Sequence, residues 1–170
     1  YNREFLVNNS IWFNECFKYG HEDIFFNFCV IESANKIIFN SGEYYQHNYA
    51  EGFSTSSVFK PEKINDAKET ALKECDMLLR WNWSPDGILE MMVDHYYIVL
   101  GVLRLKNKDF KLKQRIELTN YFSVEVFSKI PQRKKNIKKL FKKRFLHGLL
   151  AFLAYKRLHI TAFGLVWLYN

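Results

Sequence analysis

The stretch that most constrains the fold is "PEKINDAKETALKECDMLLRW" at 61–81. Ile64, Ala67, Ala71, Cys75, Leu78 and Leu79 recur at steps of three and four, which predicts a long helix with one apolar face. Pro61 suits its first turn, where the missing N–H leaves no bond unmade. Such a helix needs apolar partners, and the chain supplies them. Residues 88–105 read as a second, more apolar helix, and 109–129 as one or two more. "NWSPDG" at 82–87 reads as the turn between, punctuated by Pro85 and Gly87. With 170 residues, 48% of them hydrophobic and 25% charged, the chain is globular rather than disordered and long enough for one real core. No internal repeat is visible.

Upstream the periodicity is weaker. Residues 2–8 suggest a short helical turn around Phe5 and Leu6, broken by Asn8-Asn9-Ser10. From Glu22 the positions Ile24, Phe25, Phe28, Cys29 and Ile31 return to helical spacing, predicting a helix over about 22–34. Its first turn carries the acidic pair Glu22-Asp23, where the helix dipole favours anions. "KIIFNSGEYYQHNYA" predicts a short strand at 36–39, a turn at 40–42 and an extended piece at 43–48. "EGFSTSSVF" after it is a loop.

Pro131 marks a boundary. Eight of the twelve residues from Arg133 to Arg144 are basic: Arg133, Lys134, Lys135, Lys138, Lys139, Lys142, Lys143 and Arg144. Ile137, Leu140, Phe141 and Phe145 fall on one helical face among them, so 131–170 reads as a basic amphipathic tail. Its apolar segments flank Lys156-Arg157, and neither reaches the roughly 20 residues of a spanning helix. The formal net charge of +7 favours an anionic partner. Cys16, Cys29 and Cys75 form neither a disulfide framework nor a zinc spacing, and a reducing compartment is the simpler reading. The start has no signal-peptide layout, no Met and no opening strand, so a fragment lacking an N-terminal part is expected.

Several features follow in order: Phe13-Asn14-Glu15, "YGHED" at 19–23, an aromatic helix, "ANKIIF" at 34–39, Tyr44-Tyr45, and "QHNYAEGFSTSS" at 46–57. A helix opening "EKINDAKETALKE" follows. This order resembles the C-terminal half of the catalytic domain in bacterial family 2 glycosyltransferases, over about residues 1–75. The resemblance implies an α+β, mostly helical chain: the C-terminal part of a GT-A-like α/β domain over 1–60, a helical extension over 61–130, and the membrane-associating tail over 131–170. The family's donor site ends in a D-x-D-type motif that holds Mg²⁺ or Mn²⁺ with the sugar diphosphate. No D-x-D occurs in this sequence, so the resemblance implies a metal held mainly outside these residues, and a chain probed alone is expected to be inactive.

On the same resemblance Asp23 is the base that takes a proton from the acceptor hydroxyl, with Glu22 as a supporting acceptor-side carboxylate. The competing reading of the pair is an ordinary helix cap. His21 is a candidate for phosphate or acceptor contact, or a plain loop residue. His47, Ser54 and Ser56 are candidates for donor binding in a loop able to fold over a diphosphate, or plain loop residues. In "LLRWNW" at 78–83 the reading is packing by Trp81 with Arg80 exposed; in "VDHYY" at 93–97 Asp94 and His95 read as structural, having no partner motif. The basic segment suits an anionic membrane surface. Nucleic acid is the weaker alternative because aromatics do not interleave the run as stacking platforms.

The expected function is transfer of a sugar from a nucleotide sugar to a glycan or lipid-linked acceptor in surface polysaccharide synthesis, at the cytoplasmic face of the cell membrane. The alternative is a non-enzymatic helical module that binds anionic membrane or nucleic acid through 133–144.

Overall fold

The computed structural model describes residues 1–17, 20–38, 42, 58–105 and 107–169, the side chain of 169 excepted. Among them are eight helices: α1 (Arg3–Asn8), α2 (Glu22–Ser33), α3 (Pro61–Arg80), α4 (Pro85–Val102), α5 (Leu112–Ser128), α6 (Arg133–Lys143), α7 (Phe145–Tyr155) and α8 (His159–Tyr169). The described part is mostly helical, with no strand beyond a bridge residue at Val58. Lys36, Ile37 and Ile38 do not form the strand expected there. Residue 39, the extended piece at 43–48 and the loop carrying His47, Ser54 and Ser56 lie outside the described residues.

α3 begins at Pro61 as the periodicity predicts. The turn expected at 82–87 is shorter. Pro85 occupies the first position of α4, and the Gly87 N–H donates to Ser84 Oγ at 3.2 Å. Pro and Gly here open a helix, because the first-turn N–H groups need no helical partner and a serine cap satisfies one of them. α5 is a single helix, closed at its start by the Gln114 side chain, which accepts from the Lys111 N–H at 2.9 Å.

The connection from α4 to α5 is closed by Arg115. Its guanidinium donates to the carbonyls of Leu103 (2.8 Å), Leu105 (2.6 Å), Asn107 (2.7 Å) and Phe110 (3.0 Å), and lies 4.3 Å from the centre of the Phe59 ring. Four carbonyls that would otherwise be unpaired are satisfied by one planar donor group.

Two helical hairpins, α3–α4 and α5–α6/α7, stack in a fixed register. Lys68 meets Tyr121, Asp76 meets Lys129, Asp86 meets Lys139, Glu90 meets Lys143 and Asp94 meets His147, each pair 53 residues apart. A constant offset means parallel neighbours: α5 runs beside α3, and α6–α7 beside α4. Most of these pairs are partly exposed, and such pairs contribute roughly 0–1 kcal/mol each. The stability comes from the core they border. Tyr96, Phe122, Phe127, Leu89, Met92 and Leu140 are almost fully buried, and each such side chain contributes about 1.5–3 kcal/mol.

That core runs without a break from Phe59 to Val166 and includes Ile137, Leu140, Leu150, Ala154 and Ala162. The tail expected beyond Pro131 is therefore part of the bundle, and Pro131 is a turn rather than a domain boundary. α8 is anchored by His159, which is buried. Its Nδ1 lies 2.8 Å from the Tyr96 hydroxyl, and Nε2 lies 3.3 Å from Ser123 Oγ and 3.4 Å from Asn120 Oδ1. A smaller cluster of Ile11, Phe26 and Val30, with Phe5, Leu6 and Cys29 against it, holds α1 and α2 together.

Phe122→Ala should lower unfolding free energy by about 3–5 kcal/mol. Lys139→Ala should cost less than about 1 kcal/mol. Urea denaturation of both variants checks this, and comparable losses would show that the ladder of ion pairs carries the bundle.

Candidate functional site

The start of α2 is built by two residues in left-handed backbone. Gly20 has φ +120° and His21 φ +71°, so the chain turns sharply before entering the helix. At Gly20 no side chain is sterically accommodated without strain. The three residues that follow the glycine then part company. His21 turns inward, and its Nδ1 is buried with no hydrogen-bond partner among the described residues. Glu22 has one oxygen, Oε2, in the same condition. Asp23 is exposed, and its Oδ1 accepts from the Ile24 N–H at 2.8 Å. Of the two carboxylates, Asp23 is the more exposed.

α2 is held at both ends. Phe13 stacks on Phe26 at 4.4 Å, and Phe17 meets Phe25 edge-on at 5.1 Å. At the C-terminal end Glu32 accepts from Lys73 Nζ at 2.8 Å and pairs with Arg80 on α3. The Lys73 hydrogen bond holds the Glu32 carboxyl below the ordinary carboxylate range, against a smaller opposing effect of burial. Arg80 is thus engaged although exposed, and Trp81 is 45% exposed, so its packing is partial.

α3 and α4 carry a buried polar column of their own. Lys63, Asp66, Thr70 and Glu74 are buried along one side of α3. Glu74 Oε2 lies 2.5 Å from His95 Nε2, both side chains being nearly inaccessible. His95 Nδ1 and Lys63 Nζ have no hydrogen-bond partner among the described residues. Burial lowers the basicity of His21, an electrostatic contribution from His95 adds to that, and Asp23 opposes it. Burial also pushes the Lys63 ammonium down, helped by Lys60.

His95 and Asp94, read from the sequence as structural, each have a side-chain partner. Asp94 Oδ1 lies 2.9 Å from His147 Nε2. Their partners are 21 and 53 residues away, so local pattern did not show them. The available signal was the presence of His and Glu inside otherwise buried helix faces, which is costly unless they are paired.

The basic segment divides in two. On one side Lys139 pairs with Asp86 (3.4 Å), and Lys143 and Arg144 with Glu90 (2.8 and 2.7 Å). These three belong to the α4 contact and are not a free membrane-binding set. Arg133 lies 5.6 Å from the Tyr155 ring centre. Lys134, Lys135, Lys138 and Lys142 form no ion pair among the described residues and stand exposed.

Among the described residues no group of three or more His, Cys, Asp or Glu side chains is placed to hold a metal ion. Glu22 and Asp23 alone do not fit the expected Mg²⁺ or Mn²⁺. Among the same residues no helix is long and apolar enough to cross a membrane. The chain matches no family model, no curated protein and no solved structure.

Burial keeps His159 below its ordinary basicity, as it does His21, with Arg157 adding to the effect. Both therefore exclude a proton in the folded state that the unfolded chain binds below about pH 6.5. Their contribution is present above that pH and is lost as pH falls. Each group can add a slope of up to about 1.4 kcal/mol per pH unit. Between pH 7.5 and 5.5 the urea midpoint should fall, and it should fall less in His159→Gln. A midpoint independent of pH in this window would contradict the buried neutral imidazoles.

Proposed function

We propose that the chain is the acceptor side of a glycosyltransferase and that Asp23 is its general base. The observation that carries this reading is the division of the acidic pair: Asp23 faces solvent on the first turn of α2, while Glu22 keeps one oxygen inside. Support comes from the ordered motifs around it and from the rigid seating of α2 on α3.

The transfer runs as a single displacement. The acceptor hydroxyl oxygen attacks the anomeric carbon of a nucleotide sugar. Its proton passes to the Asp23 carboxylate, and the bond from the anomeric carbon to the diphosphate oxygen breaks, the electron pair leaving with the nucleoside diphosphate. Attack opposite the leaving group inverts the anomeric centre. Glu22 serves as the supporting carboxylate on the acceptor side, and His21, with a buried ring nitrogen to spare, orients the turn that presents them. His47, Ser54 and Ser56 are assigned to the donor side by the resemblance alone. A nucleotide sugar and a glycan or lipid-linked acceptor are the partners this reading requires, with the metal-binding D-x-D contributed from outside these residues.

The test is sugar transfer from a panel of nucleotide sugars by the polypeptide of the complete reading frame. Asp23→Asn should lower turnover by about 10²–10⁴-fold, the range of a lost general base, while donor affinity is unchanged. Turnover within a few-fold of the parent would remove Asp23 from the role.

A further inference from the structure

α6 and α7 cross at Gly148. A Cβ there would lie 2.6 Å from the backbone N and Cα of Phe141, so only glycine permits the approach. Beside this crossing, between α6 and α7, lies a groove of about 380 Å³. Ile137, Phe141 and Phe152 line its floor, and Lys134, Lys138 and Lys156 its rim. A shallower depression of about 450 Å³ adjoins it, lined by Gln132, Arg133 and Lys135, with Lys134 and Tyr155 common to both. Neither lining contains an acidic residue.

We infer that this groove docks the chain on an acidic bilayer, with a phospholipid phosphate among Lys134, Lys138 and Lys156 and the start of its acyl chain over Ile137, Phe141 and Phe152. Two independent observations meet here. The first is charge: the cations of α6 that face α4 are already matched by Asp86 and Glu90, whereas Lys134, Lys135 and Lys138, which form no ion pair among the described residues, stand around the groove. The second is the floor, which is apolar and continuous with further exposed apolar surface. Phe145, 69% exposed, packs edge-on against Phe141 at 5.8 Å. A cationic rim over an apolar floor matches an anionic amphiphile at both ends.

Nucleic acid uses only half of this surface. It needs free aromatic faces between the cations. Tyr155 instead has Arg133 and Lys156 near its ring, each 5.6 Å from the centre, and Phe141 packs against Phe145 and Phe152. The docking does not depend on Asp23 acting as a base, and Asp23→Asn should bind vesicles like the parent.

The experiment is sedimentation of the whole chain with vesicles of phosphatidylcholine, with and without 30 mol% (about a third) phosphatidylglycerol, a content chosen to mimic an anionic leaflet. The parent should bind only the acidic vesicles. Lys134→Gln/Lys138→Gln/Lys156→Gln should lose at least about 30-fold in partitioning, three leaflet-facing cations having been removed. Lys139→Gln/Lys143→Gln, on the paired face, should stay within about threefold. Phe152→Ser, which keeps every charge, should also weaken binding, and helical circular dichroism confirms that each variant is folded. Absence of binding to acidic vesicles overturns the inference. So does an equal loss in the two lysine variants, which would mean diffuse charge. Unchanged binding in Phe152→Ser, together with displacement from the vesicles by a short single-stranded RNA, assigns the surface to polyanions instead.

Discussion

A single register of 53 residues relates the second helical hairpin to the first, and the arrangement of both surfaces follows from it. Ion pairs mark that register but are too exposed to enforce it. What fixes it is the length and closure of the connection between α4 and α5. Arg115 ties four carbonyls of residues 103–110 to the first turn of α5. With that connection closed, α5 starts where Phe122, Val126 and Phe127 meet Tyr96, and α6 then falls alongside α4. Loss of the guanidinium would leave several carbonyls unsatisfied at once, a larger penalty than the loss of any one bond in the ladder.

The register also decides which charges remain available. α4 presents Asp86, Glu90 and Asp94 at intervals of four, and α6–α7 answers with Lys139, Lys143 and His147 at the same intervals. That consumes one side of the basic segment. The formal charge of +7 therefore gives a poor picture of the surface, because cations spaced four apart on α6 are neutralised and those one turn-face away are not.

Much of this was legible in the sequence, and the exceptions have a common cause. The positions of α2 and α3 follow from apolar spacing, an acidic first turn and Pro61, all of which act within a few residues. The start of α4 was read as a turn because Pro85 and Gly87 are ambiguous between a loop and a first turn; the serine cap at Ser84 was the deciding local signal. The pairing of Glu74 with His95, and the division of the basic face, depend on residues 21 and 53 positions apart. Yet the matching four-residue intervals of acids at 86–94 and bases at 139–147 are visible in the chain. Read together they point to two helices in parallel contact, which a scan for a solvated or lipid-facing stripe passes over.

The start of α2 shows why a motif alone does not assign roles within itself. Glu22 and Asp23 are chemically near-equivalent and adjacent, yet a helix turns successive side chains by about 100°. One carboxylate is thereby carried toward the bundle and the other toward solvent. The left-handed pair Gly20-His21 fixes the entry angle, so the direction each takes is set before the helix begins. His21 adds to the constraint, because its Nδ1 is buried within this turn. A change at Gly20 would therefore act on Asp23 without touching it, by changing the angle at which the first turn leaves the loop.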